Sequence, residues 1–149
     1  LLSFLFKKVK TIDNYQPNID LAKKFNKDRN NIEYTYGDVY NTNVVIESNN
    51  WWVEEKIVKE KFDVVFIDCV HDTEHVLKDI ETAIREGTDD VILVFDDYGI
   101  APKVKTAIHK TIDNGFIEFV KFVGEPKGSD CRLGKVLLDW EAVICSIHG

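Results

Sequence analysis

At 149 residues, with 44% hydrophobic and 30% charged residues, the chain is long enough to bury a core and has the composition of a globular domain. A net charge of −7 excludes the basic footprint that a phosphate backbone requires, and no apolar run approaches the roughly 20 residues that span a bilayer. The three cysteines, Cys69, Cys131 and Cys145, are scattered with no C-x-x-C pair, as expected of reduced thiols in a cytoplasmic protein.

Leu1 to Phe6 reads as the end of an amphipathic helix that starts in mid-pattern without methionine. A fragment missing its natural beginning is expected, although a processed terminus would look the same. Val9 to Asp13 is a strand. A helix follows from near Pro17, whose missing N–H costs nothing in a first turn, with Leu21, Ala22 and Phe25 on its inner face. Ile32 to Tyr36 is the next strand, closed by Gly37-Asp38, and Asn49 or Asn50 can cap a helix carrying Trp51, Trp52, Ile57 and Val58. Phe62 to Asp68 is an unalternating run of β-branched and aromatic residues, as in a strand covered by helices on both faces of a parallel sheet.

Asp72 or Thr73 then caps a helix with Val76, Leu77, Ile80, Ala83 and Ile84 on one face, ended by Gly87. Val91 to Asp97 repeats the apolar-then-acidic strand pattern. A helix from near Pro102 turns Val104, Ala107, Ile108 and Ile112 inward and stops at Gly115. Phe116 to Val123 and Leu133 to Trp140 are expected as a final antiparallel pair, because Gly124 to Arg132 is too short for a helical crossover. Glu141 to His148 looks extended. The order is βαβαβαβαββ, a single α/β domain over residues 1–149.

Ligands in such sheets sit beyond the carboxyl ends of the strands, so the acids there are the candidates for chemistry. Asp13, with Asn14 beside it, can accept ribose hydroxyls of an adenosine ligand; an aspartate serving a turn is the plainer reading. Gly37 lets a ring approach the backbone, and Asp38 can accept from an exocyclic amine. Asp68 can bind a cation or an ammonium-like group. His71 is a candidate general base, since an imidazole ordinarily titrates near neutrality, or else a helix-start residue bonded to a carboxylate. Asp96 and Asp97 are adjacent and should point to opposite sides, so one of them is expected to join Asp68; two or three carboxylates suffice for Mg²⁺. Cys69 beside them is a small filler or a nucleophile. His75, His109 and His148 lack ligand spacing and read as surface residues.

Phe66-Ile67-Asp68-Cys69-Val70-His71, continuing through Val76 and Asp79, resembles the fourth strand of class I S-adenosylmethionine-dependent methyltransferases of the small-molecule O-methyltransferase-like branch. Phe95-Asp96-Asp97-Tyr98 is similar to the end of that branch's fifth strand, Thr11-Ile12-Asp13 to its second-strand acid, and Gly37-Asp38 to the acid after strand three. The resemblance implies a Rossmann-like methyltransferase fold, a mostly parallel sheet with a C-terminal antiparallel hairpin. It implies S-adenosylmethionine as cofactor, with Asp13 and Asn14 at its ribose, Gly37 and Asp38 near its adenine, and Asp68 near its methionine end or a metal. It also implies His71 as the base for a small-molecule hydroxyl acceptor, and Asp68, Asp96 and Asp97 as ligands of an assisting Mg²⁺. Homo-oligomerisation is left open; nucleic acid and membrane are not expected partners.

Two features depart from the pattern. The family's first strand and its glycine-rich loop are absent, and Cys69-Val70 stands where a small or polar pair is usual. A catalytically inactive binding or scaffold domain on the same fold therefore stays open. A phosphoacceptor receiver-like domain fits less well, because its acidic pair should follow the first strand.

Overall fold

The computed structural model describes residues 2–37, 40, 61–125, 129–130, 135–136 and 140–147. The chain divides into two compact units, Leu1–Lys59 and Glu60–Gly149. The expected helix around Trp51 and Trp52 and the acid Asp38 lie outside the described residues, as do Cys131 and His148.

In the first unit, a short helix α1 (Leu2–Leu5) leads to strand β1 (Val9–Asp13), helix α2 (Gln16–Phe25) and strand β2 (Ile32–Tyr36). The two strands pair in parallel, in register from Val9↔Ile32 to Asp13↔Tyr36. Asn31 ties α1 to this pair by donating its side-chain amide to the Ser3 and Phe6 carbonyls at 2.9 and 3.0 Å. Pro17 sits in the first turn of α2.

The inner face of α2 differs from the sequence expectation. Ile19 is buried and Ala22 half-buried, whereas Leu21 and Phe25 are 51% and 77% exposed. On the β2 side of the helix the Tyr34 hydroxyl donates to the Ala22 carbonyl at 3.4 Å. Ile19, Ala22 and Asn26, spaced i, i+3, i+7, form the more buried stripe, and a helix that buries this stripe leaves the Leu21–Phe25 stripe outside.

The second unit holds strand β3 (Phe62–Ile67), helix α3 (Thr73–Glu86), strand β4 (Gly87–Phe95), helix α4 (Pro102–Asp113) and strand β5 (Ile117–Val123). Strands β6 (Ser129–Asp130), β7 (Lys135–Val136) and β8 (Ala142–Ile147) complete it. The main sheet runs β3-β4-β8-β5, with β3 and β4 parallel and β8 antiparallel to both neighbours. With its helices this sheet makes an α/β unit, the class that the sequence implies.

The partner of β5 is β8 rather than the expected Leu133 to Trp140. Val143 and Cys145 are fully buried, and β8 fills the position between β4 and β5, which an apolar strand must occupy. Within 133–140, Lys135–Val136 instead pairs with Ser129–Asp130, and Trp140 stacks on Phe122 at 5.5 Å just before β8. The antiparallel ending is thus formed across a longer connection.

Helices α3 and α4 pack on the face of the sheet that carries Ile67, Val91, Leu93, Phe95, Val143 and Cys145. Val76, Ile80, Ala83, Val104, Ala107 and Ile108 meet it from the helices, and each fully buried Val, Leu, Ile or Phe side chain contributes roughly 1.5–3 kcal/mol. The other face is less covered than an unalternating strand suggests: Ile92 and Val94 are half-buried and Phe66 is 48% exposed. Burial among apolar side chains pushes the pKa of the Cys145 thiol up to about 11, so it is an inert core residue.

Strand β4 begins at Gly87, four residues before the expected Val91, because the chain leaves α3 directly in extended conformation. A Cβ at Gly87 would lie 2.5 Å from Val91 Cγ1 and 2.7 Å from the Ala83 carbonyl oxygen. Gly87→Ala is therefore expected to destabilise the unit by about 1–3 kcal/mol through overpacking, read by urea denaturation. An unchanged midpoint would contradict this tight α3–β4 junction.

Candidate functional site

Because β3 and β4 are parallel, with Ile67 opposite Phe95, both release their carboxyl ends at the same edge of the sheet. Asp68 follows β3. Three residues later His71 stands immediately before α3, whose start is fixed by Asp72. One Asp72 oxygen accepts the backbone N–H groups of Glu74 and His75, both at 3.1 Å, and the other meets His75 Nδ1 at 2.5 Å. This is an aspartate N-cap, one of the two alternatives legible in the sequence.

The hydrogen bond from the His75 backbone, supported by the His75 ring and the Glu74 amide, holds the Asp72 carboxyl below the usual carboxylate range despite partial desolvation. A depressed value stabilises the fold above the unfolded pKa and is lost as pH falls through the folded one. Acidification below about pH 4 is thus expected to fray the first turn of α3. Amide exchange of Glu74 and His75 checks this, and Asp72→Asn should flatten its acid dependence.

After β4 the chain makes a sharp turn. Asp97 adopts φ 56°, the sole left-handed non-glycine among the described residues. Such a conformation costs about 1–2 kcal/mol, and strain of this kind concentrates at functional positions. The turn is secured on both sides: the Asp97 N–H donates to Asp96 Oδ1 at 2.9 Å, and the Asp97 carbonyl accepts from Ala101 at 2.9 Å and Ile100 at 3.2 Å.

The result is a cluster. His71 Nε2 lies 3.0 Å from Asp97 Oδ2 and 3.6 Å from Asp68 Oδ1. The Asp97 side chain is 14% exposed, whereas those of His71 and Asp68 are 42% and 50% exposed. A shielded carboxylate therefore orients a solvent-accessible imidazole, an arrangement that can hold one tautomer and stabilise the protonated ring. Asp68, His71 and Asp97 each present one ligand atom within 4.8 Å of the others. Asp96 is not in this group: its carboxylate is turned to the Asp97 amide. Among the described residues the group is thus two carboxylates and an imidazole. Cys69, next in sequence, is exposed.

In the first unit the carboxyl ends of β1 and β2 also coincide, and the Gly37 N–H donates to the Asp13 carbonyl at 3.0 Å. Asp13 accepts from the Tyr15 N–H at 2.8 Å and from the Asn18 side-chain amide at 3.0 Å. Both bonds order its carboxylate as a turn-forming group, and each oxygen keeps a further acceptor site. Asn14 is exposed beside it, and Gly37 is buried.

Three partnerships escaped sequence reading. Asn18, one turn into α2, holds Asp13; its signal is an amide five residues after a strand-end acid. His75 is the partner of Asp72 rather than an isolated surface residue. His109, exposed as expected, meets the buried Tyr98 hydroxyl at 2.8 Å, a pairing that spans a turn and a helix and has no local signal.

Comparison with known proteins agrees with the α/β fold. A model of the methyltransferase domain family matches residues 7–98. No curated protein matches the sequence. Among solved structures, the chain resembles an O-methyltransferase from Bacillus cereus in complex with S-adenosylhomocysteine, with TM-score 0.63 and 14% identity over 95% of this chain and 63% of that one. It also resembles the N-methyltransferase NodS from Bradyrhizobium japonicum, in complex with the same molecule, with TM-score 0.65 and 17% identity over 96% and 68% of the two chains. A methyltransferase from Pyrococcus furiosus is similar with TM-score 0.59 and 15% identity, over 95% and 63%. The chain thus spans less than two thirds of the length of the first and third of these proteins, and at such identities the likeness speaks for the fold. No helix among the described residues is long and apolar enough to cross a membrane. The family match covers more than half of the chain, from before β1 to the turn that carries Asp96, Asp97 and Tyr98, so the chain belongs to the methyltransferase domain family.

Proposed function

We propose that this chain serves methyl transfer from S-adenosylmethionine to a hydroxyl of a small molecule. The observation that carries the reading is the His71–Asp97 pair, with Asp68 beside it, at the carboxyl ends of two parallel strands in a methyltransferase domain. Asp13 and Asn14 would hold the cofactor ribose, Gly37 and Asp38 would face its adenine, and Asp68 would lie near its methionine end. An ordered carboxylate with spare acceptor sites beside a buried glycine is a fitting cradle for an adenosyl group. When bound, the cofactor supplies a methyl group on a sulfonium sulfur, which departs as a neutral thioether when an acceptor oxygen displaces it.

His71 takes the proton from that acceptor hydroxyl. Asp97, accepting from Nε2–H, keeps the lone pair on the opposite ring nitrogen and stabilises the imidazolium that forms. Two carboxylate oxygens and an imidazole nitrogen within 4.8 Å also suit a divalent cation such as Mg²⁺. Asp68, His71 and Asp97 would hold it, and it would lower the pKa of the acceptor hydroxyl. In that case His71 is a ligand and not the base. The acceptor class, a phenol or a sugar-like alcohol, and a cytoplasmic setting belong to the same proposal.

Calorimetric titration with S-adenosylhomocysteine tests the cofactor reading: saturable binding is expected, weakened at least tenfold by Asp13→Ala. Absence of binding would remove the cofactor, and an unchanged affinity in Asp13→Ala would remove its ribose anchor. Mg²⁺-dependent turnover of labelled S-adenosylmethionine on a catechol and sugar panel, surviving loss of both Asp68 and Asp97, would refute the cation site. Absence of both binding and turnover would favour the second reading, an inactive domain, in which the two bonds to Asp13 serve the turn alone.

A further inference from the structure

We infer that Asp96 is a positioning residue: its carboxylate holds the backbone turn that aims Asp97 at His71, and it does not itself bind a cation or reactant. The inference rests on the reading of the Asp68–His71–Asp97 cluster given above. Strand-end acids in tandem look equivalent in the sequence, but the structure gives them different work. Asp97 Oδ2 faces His71 Nε2 at 3.0 Å, whereas Asp96 Oδ1 accepts the Asp97 N–H at 2.9 Å.

Three observations make this more than a local bond. First, Asp97 is left-handed, a conformation that an L side chain leaves readily unless its neighbours enforce it. Second, the Asp96 backbone is anchored in the sheet, its N–H donating to the Ile67 carbonyl at 3.1 Å, one residue before Asp68. Third, the chain beyond Asp97 is also fixed, with the Tyr98 N–H on the Glu141 carbonyl at 3.0 Å and the Ala101 N–H on the Asp97 carbonyl at 2.9 Å. The Asp97 N–H is thus the joint between two anchored segments, and Asp96 satisfies it. The side chain that remains, that of Asp97, is the one that reaches the imidazole. A shift of about 1 Å there would break the His71 pair, since a hydrogen bond near 3 Å weakens steeply when lengthened or bent.

The test compares Asp96→Asn, Asp96→Ala and Asp97→Asn in the whole chain. The readouts are the ¹⁵N signals of the His71 ring and the binding of Mn²⁺ alone by electron paramagnetic resonance. Asparagine at 96 keeps an acceptor oxygen for the Asp97 amide but carries no charge. Asp96→Asn is therefore expected to leave the His71 signals in place and Mn²⁺ affinity within about twofold, while Asp96→Ala shifts the His71 signals and weakens Mn²⁺ at least tenfold. If Asp96→Asn weakens Mn²⁺ as much as Asp97→Asn does, Asp96 is a ligand and the inference fails. If Asp96→Ala leaves the His71 signals unchanged, there is no positioning role and the inference also fails. If Asp97→Asn does not change Mn²⁺ affinity, the cation reading fails, and the His71 signals alone still decide the role of Asp96.

Discussion

Replacing His71 by alanine is expected to lower methyl transfer by about 10²- to 10⁴-fold, the usual contribution of a positioned general base. The loss should fall on kcat, with S-adenosylhomocysteine affinity little changed, because the ring is assigned to the acceptor proton and not to the adenosyl group. Asp97→Asn should share most of the loss: its amide can donate to Nε2 and so favours the wrong tautomer of a ring 3.0 Å away. Asp68→Asn should cost less without metal, since Asp68 stands 3.6 Å from the ring and is half exposed. Labelled methyl transfer at saturating cofactor separates these cases. Full activity in His71→Ala would leave methyl transfer to positioning alone and end the base assignment.

The second large effect concerns stability. Phe95 is fully buried, pairs with Ile67 of β3 and Val143 of β8, and immediately precedes the turn that carries Asp96 and Asp97. Phe95→Ala removes a large side chain from a site walled by strands on both sides, and a cost of about 3–5 kcal/mol is expected. That is a large share of the ~5–15 kcal/mol that keeps a domain folded. Phe66, one strand away but half exposed, should cost ~1 kcal/mol or less on the same change. Urea denaturation of both variants gives the comparison. Equal losses would mean that the sheet buries both faces alike, as its unalternating sequence suggested.

That contrast shows where sequence reading succeeds and where it stops. An unalternating run such as Val91 to Phe95 announces a strand inside an α/β sheet, and Asp72 before an amphipathic run announces a helix start, because both signals are local. How far each face is covered depends on which helices reach it, and here α3 and α4 meet the same one. The α2 stripe differs from the expectation for a related reason. Ile19 and Leu21 are both apolar and lie on different faces of the helix, and only packing against β1 and β2, which a local pattern does not show, decides which of them is buried. Leu133 to Trp140 is expected beside β5 because it is the next apolar segment after a short connection, whereas the position between β4 and β5 is taken by the more continuously apolar Ala142 to Ile147, which pairs with both.

The candidate site divides in the same way. That acids stand at strand ends was legible residue by residue, and the spacing Asp68-x-x-His71 was specific enough to carry a family resemblance. Which of Asp96 and Asp97 reaches His71 was not legible, since it depends on a left-handed turn that leaves no mark in composition.

A crystal structure of the chain with S-adenosylhomocysteine tests the central claim most directly. The account predicts the ribose hydroxyls within hydrogen-bonding distance of the Asp13 carboxylate, the adenine beside Gly37, and the sulfur directed toward Asp68 and His71. A cofactor product bound away from both strand-end clusters, or touching Asp13 while lying far from His71, would contradict it.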